Sequence, residues 1–137
     1  MGIEGRNQMV AEMMGKTPFI GSLGLAIESW EEDLVRVRLP FRAELTNDGE
    51  MYHGGVIASI IDTAGAAAAW SGHDPHRGTK SSTVSMTIQY VRAARGEDLH
   101  VEARAVRRAR ELIFLEITAS TESAGVVAHA LQTYRIA

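Results

Sequence analysis

The segment from residue 54 to residue 72 constrains the fold of this chain more than any other part of its sequence. Six of the chain's 19 alanines fall within residues 58–69, and Asp62 is the only charged residue of the segment. A membrane span is excluded, because inserting a central aspartate would cost about 2.5 to 3.5 kcal/mol. The apolar residues occupy every side of a helix, and such helices are usually buried. The sequence therefore predicts a buried helix over residues 55–70, with side chains small enough for a sheet to surround it closely.

The remaining sequence carries patterns that are typical of β-strands. Apolar residues alternate with small or polar ones over residues 23–27 and again over residues 35–39, where Pro40 ends the second strand. Four further segments rich in β-branched residues follow the helix, at residues 82–91, 99–107, 112–121 and 126–136. Only short turns separate them, and short turns join antiparallel neighbours. We therefore expect an antiparallel sheet of about six strands.

A short N-terminal helix completes the predicted architecture. Methionine and valine recur at helical spacing over residues 7–14, and Gly15 and Pro18 are expected to end that helix. Residues 3–6 spell Ile-Glu-Gly-Arg, a common engineered protease site, so part of this terminus is open to being a cloning remnant. The prediction is one α+β domain over residues 1–137, with the sheet wrapped around the long helix.

The composition excludes several classes of function. The chain has no cysteine, which excludes disulfides, thiolate metal sites and a cysteine nucleophile and fits a reducing compartment. Its net charge is −3, whereas a nucleic acid or an anionic membrane favours a basic surface. The first 20 residues are interrupted by charges and contain no apolar stretch like that of a signal peptide. We expect a cytoplasmic protein that binds neither nucleic acids nor membranes.

Asp62 is the most informative single residue. A carboxylate among Ile61, Ala64 and Ala66 must find partners, reach solvent or take up a proton, because isolated burial of a charge is costly. One interpretation is structural: an aspartate at a wet edge of the helix, or one paired with an arginine. The other is a general base or nucleophile, which is the role that a carboxylate in such surroundings often has.

The helix is preceded by His53-Gly54-Gly55, with Thr46 and Asn47 a little upstream. Glycines at a helix start let a ligand approach the backbone, and the unpaired N–H groups there suit an oxyanion. A tight loop-to-helix junction is the plainer alternative for the same residues.

Other chemistries find little support. The sequence contains neither a phosphate-binding loop nor a dinucleotide fingerprint, and its histidines lack the spacing of a helical zinc site. We therefore predict no metal and no cofactor. Arginine outnumbers lysine 12 to 2, and Arg92 and Arg95 follow one of the strands. These two form either a solvated face or a seat for a small ligand that carries phosphate, since the planar arginine fork suits phosphate.

Taken together, Thr46-Asn47, His53-Gly54-Gly55, Asp62-Thr63-Ala64 and the strand Thr83 to Arg92 resemble the hotdog-fold acyl-CoA thioesterases of the phenylacetate-pathway (PaaI) type. The resemblance covers residues 20–136. It implies a sheet wrapped around the long helix, an acyl-CoA substrate, and a dimer or dimer of dimers with its active sites between subunits.

The resemblance also implies a role for each matching residue. Asp62 would act as general base or nucleophile toward the thioester carbonyl, and the Gly54 N–H of the other subunit would polarise the carbonyl oxygen. Asn47 would help to position water and His53 would shape the site. Thr83 matches a hydroxyl position near the aspartate. Gly55, Arg92 and Arg95 are the candidate contacts for the CoA portion, the two arginines through its phosphates.

The sequence thus predicts a homo-oligomeric acyl-CoA thioesterase that acts on an aryl or medium-chain thioester. A non-catalytic module that binds or senses acyl-CoA on the same fold is the alternative. A hotdog dehydratase is less well supported, because the paired histidine and glutamate of those enzymes are not found. The identity of the acyl group is not encoded in any motif.

Overall fold

The computed structural model describes Glu12 and residues 14–137. Its main elements are a six-residue helix, a long helix and six strands, and Glu12 and residues 14–16 are also helical. The helices are α1 (Pro18–Leu23) and α2 (Gly54–Ser71). The strands are β1 (Ala26–Glu31), β2 (Leu34–Leu39), β3 (Ser81–Tyr90), β4 (Leu99–Ala109), β5 (Leu112–Thr121) and β6 (Gly125–Ile136). Most of the helix predicted over residues 7–14 lies outside the described residues.

The six strands form one sheet in the order β1-β2-β4-β5-β6-β3, and every neighbouring pair is antiparallel. The sheet packs on α2 through all six strands. Alternate residues of the central strands face the helix and form the core, among them Val35, Val37, Leu115 and Ile117. The predicted architecture, an antiparallel sheet of about six strands around one long helix, is confirmed.

The predicted start of the first strand at Leu23 is wrong. The helical residues 14–16 end before Thr17, but Pro18 then begins a second helix, α1, in whose first turn proline's fixed φ fits and its missing N–H is no loss. Gly24, at φ +76°, then ends this helix in the left-handed conformation that glycine adopts readily. The first strand therefore begins at Ala26, three residues later than the alternation suggested.

The sheet surrounds most of α2 but leaves one stripe of it open. Helix α2 is one residue longer at each end than the predicted range 55–70. Its small side chains let β4 and β5 pack closely against it. One set of residues at helical spacing is only partly buried: Ser59, Asp62, Thr63, Ala66 and Trp70. The expectation of a helix buried on all sides is wrong for this stripe, which contains the single carboxylate. No helix in the described part of the chain is long and apolar enough to span a membrane.

A β-bulge in the edge strand β3 changes which side chains face the helix. Met86 lies opposite Gln132 and Thr83 lies opposite Tyr134, with Val84 as the extra residue between the two paired stretches. Side chains alternate between faces along a regular strand, so without the bulge Val84 would face α2 and Thr83 would face away. The bulge therefore directs the Thr83 hydroxyl toward the helix.

Candidate active site

Asp62 and Thr83 lie in direct contact in the structure. The Thr83 hydroxyl donates a hydrogen bond of 2.6 Å to Asp62 Oδ1. A second donor reaches the same oxygen, because Gln132 Nε2 lies 2.6 Å from Asp62 Oδ1. Asp62 Oδ2 has no hydrogen-bond partner among the described residues. The carboxylate is therefore held at one oxygen and open at the other.

Gln132 is the site residue that the sequence analysis missed. It lies in β6 and is only 2% exposed, although it is polar. The helix-facing side chains of this strand are otherwise apolar or aromatic, as in Ala128, Ala130, Tyr134 and Ile136. The available signal was one glutamine in an inward row of the final strand, and it becomes visible only when the facing of β6 is assigned.

A cleft of about 640 Å³ opens beside Asp62. The carboxylate shares its wall with the hydroxyls of Thr63 and Thr83. The remaining surface is largely apolar, and α1, α2 and β6 contribute Phe19, Ile20, Ala66, Trp70 and Tyr134 to it. Ligand pockets commonly have volumes of about 300 to 1,000 Å³ with a few polar groups in an apolar wall. This cleft is therefore suited to an apolar group that brings its reactive end to Asp62.

The two glycines at the start of α2 have different surroundings. The Gly55 N–H donates to His53 Nδ1 at 2.8 Å, so the imidazole caps the helix. The next two amides, of Val56 and Ile57, both donate to the His53 carbonyl oxygen. The Gly54 N–H has no hydrogen-bond partner among the described residues. Of the two glycine amides, only that of Gly54 is free to bind an oxyanion.

The loop before this helix start is held by its own side chains. Asp48 Oδ1 accepts from the N–H groups of Met51 and Glu50, at 2.8 and 3.0 Å, and these bonds lower the pKa of Asp48. Thr46 Oγ1 accepts from the Gly49 N–H at 2.7 Å. The segment Thr46-Asn47-Asp48-Gly49 is thus an internally hydrogen-bonded loop a few residues before His53.

The predicted site residues do not all meet within one chain. Gly54 and Asp62 are eight residues apart in α2, which is about 12 Å along the helix axis. Asn47 is exposed, and its N–H donates to the Met51 carbonyl. None of the five residues Asn47, His53, Gly54, Arg92 and Arg95 lines the cleft.

The two candidate arginines lie at the surface. Arg92 donates to the Ala124 carbonyl oxygen at 2.8 Å, and Arg95 is exposed beside a bridge to Met51. Across the described residues, no group of three or more His, Asp or Glu side chains is arranged to hold a metal ion.

Comparisons with known proteins identify the family of this chain. Residues 49–128 match the family described as "Thioesterase superfamily". The medium/long-chain acyl-CoA thioesterase YigI of Escherichia coli K12 is 24% identical over 143 residues, covering 94% of this chain and 92% of YigI. The PaaI protein from the phenylacetic acid degradation operon of E. coli superposes with a TM-score of 0.86 at 22% identity, over 99% of this chain and 96% of that chain.

A hypothetical thioesterase protein of Streptococcus pneumoniae, solved with coenzyme A, superposes with a TM-score of 0.75 at 17% identity, over 96% of this chain and 94% of that chain. These likenesses confirm the predicted hotdog fold and the resemblance to PaaI. They also favour catalysis over a module that only binds its ligand. The chain therefore belongs to the thioesterase superfamily and is a thioester hydrolase.

Proposed function

We propose that this chain hydrolyses an aryl or medium-chain acyl-CoA to the free acid and CoA. The observation that carries the proposal is the Asp62 carboxylate, held at Oδ1 by two donors of 2.6 Å and open at Oδ2 beside an apolar cleft. The acyl group would occupy the cleft, with the thioester carbonyl at Asp62. The relative named as a medium/long-chain acyl-CoA thioesterase supports this substrate class.

The chemistry requires few groups. As general base, Asp62 takes a proton from water, whose oxygen bonds to the acyl carbon while the C–S bond breaks and its electron pair stays on sulfur. As nucleophile, the carboxylate forms an acyl anhydride as the thiolate leaves, and water then hydrolyses this intermediate. In both routes the thiolate is a good leaving group, since thiols are far more acidic than alcohols and a free cysteine thiol has a pKa near 8.5.

The negative charge that develops on the carbonyl oxygen needs a donor that Asp62 itself cannot supply. The free Gly54 N–H at the positive end of α2 suits this task. Because Gly54 and Asp62 of one chain are separated by about 12 Å along the helix, the Gly54 that serves a given Asp62 would come from a second copy of the chain.

Assembly of two copies would also bring the other predicted residues to the site. Asn47 and His53 lie at the same end of α2 as Gly54, so they would accompany it to the thioester, with Asn47 positioning water. The exposed Arg92 and Arg95 would contact the phosphates of CoA. A structure in the same fold class that was solved with coenzyme A supports this class of ligand.

Thiol release from a panel of aryl and medium-chain acyl-CoAs tests the proposed function. Wild-type protein should hydrolyse at least one member, and Asp62→Asn should lower kcat by a factor of about 10² to 10⁴, because it removes the base or nucleophile while preserving size. Glu32→Gln is the matched control, since this exposed carboxylate lies in the β1–β2 turn and lines neither the cleft nor the start of α2. An Asp62→Asn variant with the wild-type kcat would contradict the proposed mechanism.

A further inference from the structure

Gln132, in strand β6, contacts the proposed catalytic carboxylate from the side of α2 that packs on the sheet. Its Nε2 lies 2.6 Å from Asp62 Oδ1 and 3.4 Å from both Thr83 Oγ1 and the Asp62 carbonyl oxygen. The orientation of the carboxamide follows from this geometry. Turned the other way, Oε1 would place a second acceptor 2.6 Å from a carboxylate oxygen, and two acceptors repel each other. The amide therefore presents its donor to Asp62.

The other end of the same amide has no partner. Gln132 Oε1 is buried and unpaired among the described residues, and buried polar atoms are nearly always hydrogen-bonded. A hydrophobic side chain of similar length would fill this position without leaving a polar atom unpaired. The donor at Nε2 is the feature of glutamine that such a side chain would lack.

Gly65 makes room for this amide. A Cβ atom on Gly65 would lie 1.7 Å from Gln132 Oε1 and 2.7 Å from Gln132 Cδ. Gly65 is buried in the middle of α2, three residues after Asp62 and on the same helix face. Glycine is unfavourable within a helix, so its presence there accords with a need for space beneath the carboxylate.

We propose that Gln132 is a positioning residue for Asp62 and that, with Thr83, it occupies Oδ1 and leaves Oδ2 as the reacting oxygen. The inference rests on the proposed function and goes beyond it by assigning the oxygen and the group that fixes it. Two donors on Oδ1 prevent rotation of the carboxylate, so Oδ2 faces the cleft before substrate arrives. In either catalytic route, Oδ2 then takes the proton from water or bonds to the acyl carbon.

Replacing the donor without changing the length of the side chain tests this assignment. Gln132→Met should lower kcat about 10²-fold through misplacement of the carboxylate, with little change in KM, because Gln132 does not line the cleft. Leu131→Met is the control, since it introduces the same side chain at the exposed neighbouring position of β6. A wild-type kcat in Gln132→Met, or a loss expressed only in KM, would overturn the proposal.

A second variant gives a readout that a merely structural role would not change. In Gln132→Glu, the introduced carboxyl group can donate to Asp62 Oδ1 only while it is protonated. We therefore expect kcat to fall as the pH rises, in a range where wild-type kcat is level, while circular dichroism shows a folded chain throughout. A kcat–pH profile with the wild-type shape would overturn the proposal.

Gly65→Ala provides an independent variant should the substitutions at Gln132 prevent folding. The new methyl group would displace the carboxamide without altering Asp62, and kcat should again fall with little change in KM. Assaying wild type and Asp62→Asn in parallel separates the two proposals. A wild type that releases no thiol overturns both, whereas an active wild type, an inactive Asp62→Asn and fully active Gln132→Met and Gly65→Ala overturn only the role of Gln132.

Discussion

Two adjacent glycines at the start of the long helix differ in a way that their sequence does not reveal. The Gly55 amide is taken by His53 Nδ1 at 2.8 Å, whereas the Gly54 amide has no partner among the described residues. The imidazole that caps the helix therefore also determines which of the two amides remains unpaired among the described residues. A Cβ on Gly55 would lie only 2.9 Å from His53 Nδ1, so the second glycine accommodates the cap.

Tyr52, immediately before this cap, links the loop to the core and titrates abnormally. It is 2% exposed, and its hydroxyl donates to the Glu97 carbonyl oxygen at 2.8 Å. Burial, with a smaller contribution from the charge of Asp98, raises the pKa of Tyr52 to about 12. An unfolded tyrosine has a pKa near 10. The contribution of this raised pKa to the free energy of unfolding is therefore fully present below about pH 10 and is lost as the pH rises toward 12.

Two measurements check this prediction for Tyr52. Titration of tyrosinate absorbance in the folded protein should show a phenol that ionises near pH 12, and Tyr52→Phe should abolish that late step. Urea unfolding from pH 8 to 12 should show a steeper loss of stability above about pH 10 in wild type than in Tyr52→Phe. A late ionisation that persists in Tyr52→Phe would contradict the assignment.

The candidate site was predictable where one residue stood out from its neighbours along the chain. Asp62 is the only charged residue in a long apolar segment, so the sequence alone singles it out as a candidate. Gln132 lies in a strand where polar and apolar residues alternate, and a glutamine there is ordinary. Its importance depends on contact with Asp62, 70 residues earlier, and no local pattern reports such a contact.

At the scale of elements, the C-terminal end of α2 is fastened by one arginine from β4. Arg108 donates from Nη1 to the Ala69 carbonyl at 2.9 Å and from Nη2 to the Ala68 carbonyl at 3.1 Å. Its Nε and Nη2 also bind Asp33 Oδ1, at 2.9 and 2.7 Å. The last carbonyls of a helix lack partners within it and carry its negative end. Arg108 therefore joins α2 to the β1–β2 turn.

We expect Arg108→Ala to lower the free energy of unfolding by about 1.5 to 3 kcal/mol, the range for hydrogen bonds to charged groups. Arg108→Lys should recover little of this lost stability, because a single ammonium group cannot replace a guanidinium that contacts two carbonyls and a carboxylate. Arg107→Ala is the matched control, since Arg107 is the exposed neighbour on the same strand. Urea unfolding measures the stability of all three variants. Equal losses of stability in the two alanine variants would contradict this role for Arg108.

The elements themselves were predicted best where a periodic pattern is long. The predicted bounds of β5 agree with the structure, and those of β3, β4 and β6 differ from it by one or two residues. The predicted start of the first strand was wrong, because its three alternating apolar residues span the end of α1 and the start of β1. The bulge at Val84 was not predicted either, because pairing with β6 determines it, and the orientation of Thr83 depends on it.

At the scale of the molecule, one chain presents a free sheet edge and, we propose, half of an active site. Strand β3 is last in the sheet order and pairs on one side only, with β6. Apolar side chains along and just beyond this edge are more than half exposed, namely Val84, Tyr90 and Val91. Proteins commonly cover or pair such edges, because exposed strands promote association. The proposed assembly of two copies would serve both this edge and the separated catalytic groups.

Gly54→Pro removes the proposed oxyanion donor with little disturbance of the backbone. Proline suits the first position of a helix, and His53 already has the extended conformation (φ −62°, ψ 133°) that a residue before proline prefers. We expect kcat to fall by a factor of about 10² to 10³. Gly54→Ala retains the N–H, and its Cβ would only reach ordinary contact with Tyr90 at 3.7 Å. It is therefore the matched control and should remain active.

Mixing Gly54→Pro with Asp62→Asn tests whether each active site contains residues from two copies of the chain. If Asp62 of one copy acts with Gly54 of the other, a mixed dimer contains one intact site and one site with both defects. Random assembly from equal amounts should then recover about a quarter of wild-type activity, since half of the dimers are mixed and half of their sites are intact. If both groups served the same chain, every site would carry one defect. Co-refolded variants no more active than the separate ones would contradict the shared site.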